Sequence, residues 1–398
     1  MKIGLVGLGA MGLPVAERLA HGGHELALFD VDDARLAAAD GLGRRAGSVA
    51  EATRGTEAVF TILPADRHVE VVVAEIEAAG TRGQVVVDLS TIGPATIERV
   101  AGRLDGAGLT TVSATITRGT AAARRGELVL FVGTDGGLPG SIRGALGALA
   151  AEIHEVGGYG AAKALKIANN VVLCCLDIAM CEAILVGRRV GVDAERLTEQ
   201  LATGSADSWA LRNHIVAHVL TDDLGPGRFS TRNMAKDVGL FLDLATAQGG
   251  PASLAGVAAA SYRGAIAHGL GEAYHPAVIR WLELGADGSG AVTTAVDGAA
   301  AVLCRAVAAI QVVIDLEALR SLAAWGIAPA EAAPLLESGS AGNDGLERAV
   351  RHLDGDEQLE VERLASDLSE LLELANTANV PATMFEVGRQ AALASVDA

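Results

Sequence analysis

"KIGLVGLGAMGLPVAERLAHGGHELALFD", Lys2 to Asp30, decides the fold. A short Ile/Leu/Val run reads as a strand, and a glycine turn follows it. Apolar residues then recur at helical spacing up to the Gly22–Gly23 stop, and a second apolar run ends at Asp30. Strand, turn, helix and strand at these lengths make a βαβ unit. Within it Gly7, Gly9 and Gly12 have the spacing GxGxxG. The first glycine permits a tight turn, the second lets a pyrophosphate reach the backbone, and the third lets helix and strand pack closely. Ala10 and Met11 complete the turn and are expected against the same ligand. Asp30 lies about 20 residues beyond the turn, where a carboxylate accepts hydrogen bonds from an adenosine ribose and repels a 2′-phosphate. The expected cofactor is therefore NAD rather than NADP.

The pattern continues outward. "AVFTILP" (58–64), "QVVVDLSTIGP" (84–94), "LTTVSATITRG" (109–119) and "ELVLFVG" (127–133) are apolar strands running into polar turns. Strands alternating with helical segments imply an α/β, Rossmann-type, doubly wound parallel sheet over residues 1–160. Ligands bind at the carboxyl ends of such strands, so Leu63, Pro64, Ser90 and Thr91 are expected to line the nicotinamide half of the cleft.

The 398 residues carry 31 basic and 49 acidic side chains, a formal charge of −18. That balance repels phosphate backbones and anionic lipid surfaces, so neither nucleic acid nor membrane is an expected partner. Cys174, Cys175, Cys181 and Cys304 show no paired CxxC spacing and read as buried thiols. The chain passes from Lys2 directly into a strand, with no pattern of a secretion signal, and charges interrupt its apolar runs before the ~18 residues that a span needs. The expected location is the cytoplasm.

From Ala161 the chain turns almost wholly helical. "GAAKALKIANN" (160–170) reads as a linker helix on which Lys163, Lys166 and Asn170 stand at i, i+3 and i+7, on one face. Hydride transfer at a carbinol carbon needs a group that exchanges a proton with the oxygen. A lysine with a lowered pKa does this, whereas a solvated lysine pair at a helix start does not. Spacing alone leaves both readings open.

"GLGAMGLPVAERLAHGGH", "TILP", "DLSTIGP", "GGYGAAKALKIANN" and "FSTRNMAKDVGL" occur in the order found in the β-hydroxyacid dehydrogenases, and the chain resembles that family from Met1 to about Glu283. The family holds 3-hydroxyisobutyrate dehydrogenase, tartronate semialdehyde reductase and, more distantly, 6-phosphogluconate dehydrogenase. The resemblance implies that Lys166 is the general acid/base, Asn170 a substrate ligand, and Lys236 a residue closing the site near the nicotinamide. It gives Lys163 no catalytic role. One loop departs from the family. Where DAPVSGG is usual, this chain has "SATITRG" (113–119), so Thr117 replaces the serine, Arg118 the first glycine, and Gly119 remains. The expectation is that Thr117, Arg118 and Gly119 hold the substrate anion. Arginine offers a permanently charged fork for a carboxylate, sulfonate or phosphate, and the sulfolactaldehyde reductases of this family look similar here. Imine reductases, also relatives, usually lack the lysine that Lys166 matches.

Beyond Glu283 the chain runs through a glycine-rich link, "GADGSG" (285–290), into a tail that repeats the preceding helices. Glu182–Ala206 matches Glu317–Ala341 at an offset of 135, and "MAKDVGLFLDLATAQGGPAS" matches Leu364–Thr383 at 130. Extending these offsets places Ala301 opposite Lys166, Arg305 opposite Asn170, Ser366 opposite Lys236 and Asp367 opposite Asp237. The expected organisation is a Rossmann domain (1–160), an all-α substrate domain (161–284) and a degenerate second copy (291–398) packed on the first in cis, leaving a monomer or a homodimer. His24, His154 and His275 show no triad or metal spacing, and no metal is expected.

These expectations describe an NAD-dependent oxidoreductase that interconverts a small anionic 3-hydroxy acid, or a sulfonate analogue, and its semialdehyde. The alternatives are a reductase of a bulkier ketone or imine on the same fold, or an NAD-sensing protein without turnover.

Overall fold

The computed structural model describes residues 1–286, 295–355 and 361–394. The link expected at 285–290 lies outside them from residue 287, as do residues 291–294 and 395–398 of the expected last domain. The chain forms two compact units, Met1–Ile167 and Ala168–Ala398.

The first unit is built on an eight-stranded sheet of β1 (Lys2–Val6), β2 (Glu25–Phe29), β3 (Arg44–Arg45), β4 (Ala58–Thr61), β5 (Val85–Asp88), β6 (Thr110–Ile116), β7 (Leu128–Gly133) and β8 (Ala150–Glu155), in the order β3-β2-β1-β4-β5-β6-β7-β8. All neighbours are parallel except β6 and β7. That one reversal departs from the all-parallel expectation. The chain between β6 and β7 holds only the seven-residue helix Gly119–Arg125 and short flanks, less than a parallel crossover needs. Two strands are additions to the sequence reading. β3 has two exposed residues, and β8 carries Glu152, His154 and Glu155 on a half-exposed edge, so neither presents an apolar run. Elsewhere alternate side chains enter opposite faces. Ile3, Leu5, Phe60 and Val87 belong to one core, and Val6, Val59 and Val86 to the other, as a sheet covered on both sides requires.

Helix Tyr159–Arg189 is 31 residues long, and the first unit closes inside it, after Ile167, rather than at residue 160. This helix and Ala299–Ala324 are long and apolar enough to cross a membrane, yet their most apolar windows are 100% and 72% buried in protein. Their hydrophobicity is that of core helices. Cys174, Cys175 and Cys181 are buried among them, Cys304 is half-buried, and all four are free thiols.

The second unit is helical. An offset of 135 carries Ala194–Thr203 onto Pro329–Ser338 and Leu211, which opens Leu211–Val219, onto Leu346, which opens Leu346–Leu353. An offset of 130 carries Thr231–Gln248 onto Val361–Ala378 and Ser253 onto Thr383, the first residues of two further helices. Hydrogen bonds exchange between these halves. Glu182 accepts the backbone N–H of Met384 at 3.0 Å, and its counterpart Glu317 accepts those of Leu254 at 3.0 Å and Ala255 at 2.9 Å. Trp209 N–H donates to Gly342 O at 2.8 Å, while Asp344 N–H donates to Asp207 O at 3.1 Å. Ser208 and Asn343, matched by the offset, face each other as an antiparallel bridge. Reciprocal contacts of this kind mark a twofold relation. We infer an internal duplication packed in cis, which this reciprocity supports.

The fold gives one histidine partners that its sequence spacing does not announce. His275, which has no metal-like spacing in sequence, lies beside Asp177 and His214 with all three side chains buried. Residues 37 and 61 positions apart are brought together by helix packing that local spacing does not encode.

Candidate functional site

Two features at the carboxyl ends of β1 and β2 have the shape expected of a dinucleotide site, the glycine turn and Asp30. Gly7 has φ +98°, and a Cβ there would lie 2.2 Å from Ile62 O. A Cβ on Gly12 would lie 2.0 Å from Gly7 O, so both glycines are required by the closeness of turn, strand and helix. At Gly9 a Cβ would meet only Arg35 Nη1, at 3.9 Å, which leaves open space over the turn. Ala10 is exposed and Met11 half-buried beside it. A pyrophosphate fits this cradle at the start of helix Gly12–His21. Asp30 stands at the end of β2, buried, and its carboxylate accepts Leu8 N–H at 2.7 Å and Asp32 N–H at 2.9 Å. Besides the ribose role expected of it, Asp30 thus holds the shape of the glycine turn.

The ends of β4 and β5 are locked by a buried network. Asp88 Oδ1 accepts the hydroxyls of Thr61 and Ser90, both at 2.7 Å, and Leu63 N–H donates to Ser90 Oγ at 2.9 Å. Lys163 Nζ donates to Asp88 Oδ2 at 2.7 Å, Ser90 O at 2.8 Å and Asp88 O at 3.1 Å. Lys163 is fully buried and its ammonium is committed to Asp88 and Ser90, so it is not a solvated lysine. It fastens the start of helix Tyr159–Arg189 to the strand ends. Lys166, one turn on, is buried with 8% exposure. Pro64 is exposed, and Leu63 and Thr91 are half-buried at these strand ends.

The departing loop turns through two residues in the left-handed region. Arg118 has φ +70° and Gly119 φ +74°, so the arginine occupies a left-handed conformation that glycine adopts more readily, at a cost of order 1 kcal/mol. Thr117 is fully buried, and its hydroxyl donates to Val129 O at 3.2 Å. The Arg118 guanidinium lies 3.5 Å from Glu152 on β8. An anion at Arg118 competes with that carboxylate.

In the second unit Asn170 donates through Nδ2 to Asp237 Oδ2 at 2.6 Å, and Lys236 Nζ lies 2.8 Å from Asp237 Oδ1. Asn169 is a further member. Its Oδ1 accepts Ser340 N–H at 3.0 Å and Ala341 N–H at 3.1 Å, while Nδ2 donates to Ser340 Oγ at 2.8 Å and to Asn170 Oδ1 at 3.1 Å. Asn170's amide is thereby fixed in one orientation, with Asp237 and Asn169 as the residues that fix it. Sequence reasoning missed Asp88, Asn169 and Ser340, although the doubled asparagine in "IANN" and the acid in "DLST" were visible signals. In the matched half, Arg305 pairs with Asp367 at 3.1 Å and with Glu370, an ion pair where the first half has an amide.

The family profile described as the NAD binding domain of 6-phosphogluconate dehydrogenase matches residues 2–158, and that described as NAD-binding of NADP-dependent 3-hydroxyisobutyrate dehydrogenase matches residues 160–282. The 2-(hydroxymethyl)glutarate dehydrogenase of Eubacterium barkeri is 30% identical over 284 residues, which are 70% of this chain and 94% of that protein. The chain belongs to the β-hydroxyacid dehydrogenase family. It is an NAD-dependent dehydrogenase acting on CH–OH groups. A structure of Mycobacterium tuberculosis 3-hydroxyisobutyrate dehydrogenase with L-serine superimposes with a TM-score of 0.66 at 29% identity, covering 70% of this chain and 98% of that one. Plasmodium falciparum 6-phosphogluconate dehydrogenase, at 13% identity, shares the fold over the whole chain, with a TM-score of 0.73 and 92% of its own length covered.

Proposed function

We propose that this dehydrogenase interconverts a small anionic 3-hydroxy acid and its semialdehyde, with Lys166 as the general acid/base. The observation that carries the reading is the division of labour on one helix. Lys163 is committed to Asp88, Lys166 is buried one turn further on, and Asn170 one turn beyond that is oriented by Asp237. NAD, held at the Gly7–Gly12 turn, supplies the hydride acceptor. Lys166 takes the hydroxyl proton in oxidation and returns it in reduction, and Asn170 holds the reacting oxygen. Lys236, tied to Asp237, is assigned to closing the nicotinamide site, and Leu63, Pro64 and Thr91 to contacting the nicotinamide. Gly119 and Arg118 hold the substrate anion, with Thr117 supporting them through its bond to Val129.

The named relatives act on hydroxy acids, and their likeness covers this chain through both the dinucleotide-binding and the lysine-bearing segments. Arg118 favours a substrate whose anion is strongly charged, a sulfonate among them. An imine is disfavoured by Lys166 itself. We place the enzyme in the cytoplasm, with the cis pairing of its helical halves allowing a monomer and the outer faces leaving a homodimer open.

The test is NADH oxidation against methylmalonate semialdehyde, tartronate semialdehyde, succinic semialdehyde, sulfolactaldehyde and glyoxylate, repeated with Arg118→Gly. Turnover of one of these acids with a raised KM in the variant supports the reading. No turnover of any of these anions, with turnover of an uncharged ketone or cyclic imine assayed beside them, refutes it.

A further inference from the structure

Asp177 lies on helix Tyr159–Arg189, two turns beyond Asn170, and takes no part in the reaction described above. Its carboxylate is fully buried, with both oxygens 2.9 Å from His214 Nδ1 and Oδ2 3.3 Å from His275 Nδ1. The two imidazoles are each 2% exposed. The hydroxyl of Tyr262, also fully buried, stands 3.4 Å from His275 Nδ1. Among the described residues the ion-pair partners of Asp177 are these imidazoles, with no lysine or arginine. A carboxylate taken out of water without a cation is costly.

The geometry suits a cation as well as it suits hydrogen bonding. One carboxylate faces two ring nitrogens of the same kind, and the three donor atoms lie within 4.8 Å of one another. Ligands about 2.0–2.2 Å from a tetrahedral ion stand about 3.3 Å apart. The two carboxylate–imidazole separations, 2.9 and 3.3 Å, and the Tyr262–His275 separation, 3.4 Å, stand near that spacing.

We propose that Asp177, His214 and His275 form a structural site for one first-row divalent cation, with Tyr262 Oη as the fourth donor. Two imidazoles and a carboxylate are a donor set that suits zinc. The burial of every donor excludes substrate, so the ion has no part in turnover. It joins four segments: Tyr159–Arg189, Leu211–Val219, Ser253–Ala265 and His275–Ala277. His275 N–H also donates to Phe229 O at 3.1 Å, and its neighbour Tyr274 bridges Ser230, the N-cap of the helix carrying Lys236 and Asp237. The ion therefore braces the root of that helix.

The experiment uses the full chain without a histidine tag. Metal content is measured by mass spectrometry after dialysis, and the chelator-stripped protein is titrated with cobalt(II) while visible absorption is followed. The expected result is about one zinc per chain and a tetrahedral cobalt spectrum that saturates at about one equivalent. Asp177→Asn and His275→Gln should each weaken binding at least tenfold. A wild-type chain with little metal and no cobalt spectrum overturns the proposal, as does metal retained undiminished in both variants. The wild-type spectrum decides the matter even if a variant fails to fold.

Discussion

Lys163→Met removes a buried ammonium that donates to Asp88 Oδ2, Asp88 O and Ser90 O, and it leaves the Asp88 carboxylate buried with no opposing charge. Breaking one side of a buried ion pair costs about 3–5 kcal/mol, because the remaining charge keeps its desolvation penalty. For a unit of this size each kcal/mol lowers the melting temperature by about 2–4 °C, so the expected fall is on the order of 10 °C. Asp88→Asn alone leaves the ammonium unpaired and destabilises by a similar amount. The double variant leaves no charge, and its amide oxygen still accepts from Thr61 and Ser90, so it should recover much of the loss. The assay is calorimetric unfolding of the wild type, both single variants and the double variant, read as a coupling energy. Single-variant losses below about 1 kcal/mol, or losses that simply add in the double variant, would refute this account of Lys163.

Three further outcomes are expected. Burial pushes the Glu182 carboxyl up to about 8, while the N–H groups of Met384, Phe385 and Thr383 pull it down. A raised carboxyl pKa gives stability that is present below the unfolded value of about 4.3 and lost as pH rises to about 8, so stability should fall across that window by a few kcal/mol; denaturant titrations at several pH values should show the slope, and Glu182→Gln should flatten it. Asp30→Ala strands the buried N–H of Leu8, a loss of about 1–3 kcal/mol, and should weaken NADH binding about 5- to 150-fold by fluorescence titration. Ser340→Ala removes one of the bonds that orient Asn169, and through it Asn170, so KM for substrate should rise several-fold while NADH affinity stays unchanged.

Much of this molecule was legible from Lys2–Asp30, because glycine spacing, helix stops and a terminal acid all answer to local backbone physics. The strands with apolar runs were legible for the same reason, whereas β8, a polar edge, was not. The offsets of 135 and 130 exposed the matching helices, since repeats are visible without any knowledge of packing. Residues defined by distant partners were out of reach. Nothing near Lys163 in the sequence announces Asp88, and the contact between Asn169 and Ser340 spans 171 positions. The loop at Arg118 taught a different lesson, in that its substituted side chain rests in a glycine conformation and turns to Glu152. His275 was passed over because the partners that give it meaning come from two other helices.

The most direct test of the central claim is single-turnover hydride transfer by wild type and Lys166→Ala, with NADH affinity measured alongside. The account predicts a fall of about 10²–10⁴-fold in the rate for the variant, partly restored by added primary amines, with cofactor binding unchanged. A rate within tenfold of wild type would contradict it and move the proton-transfer role away from Lys166.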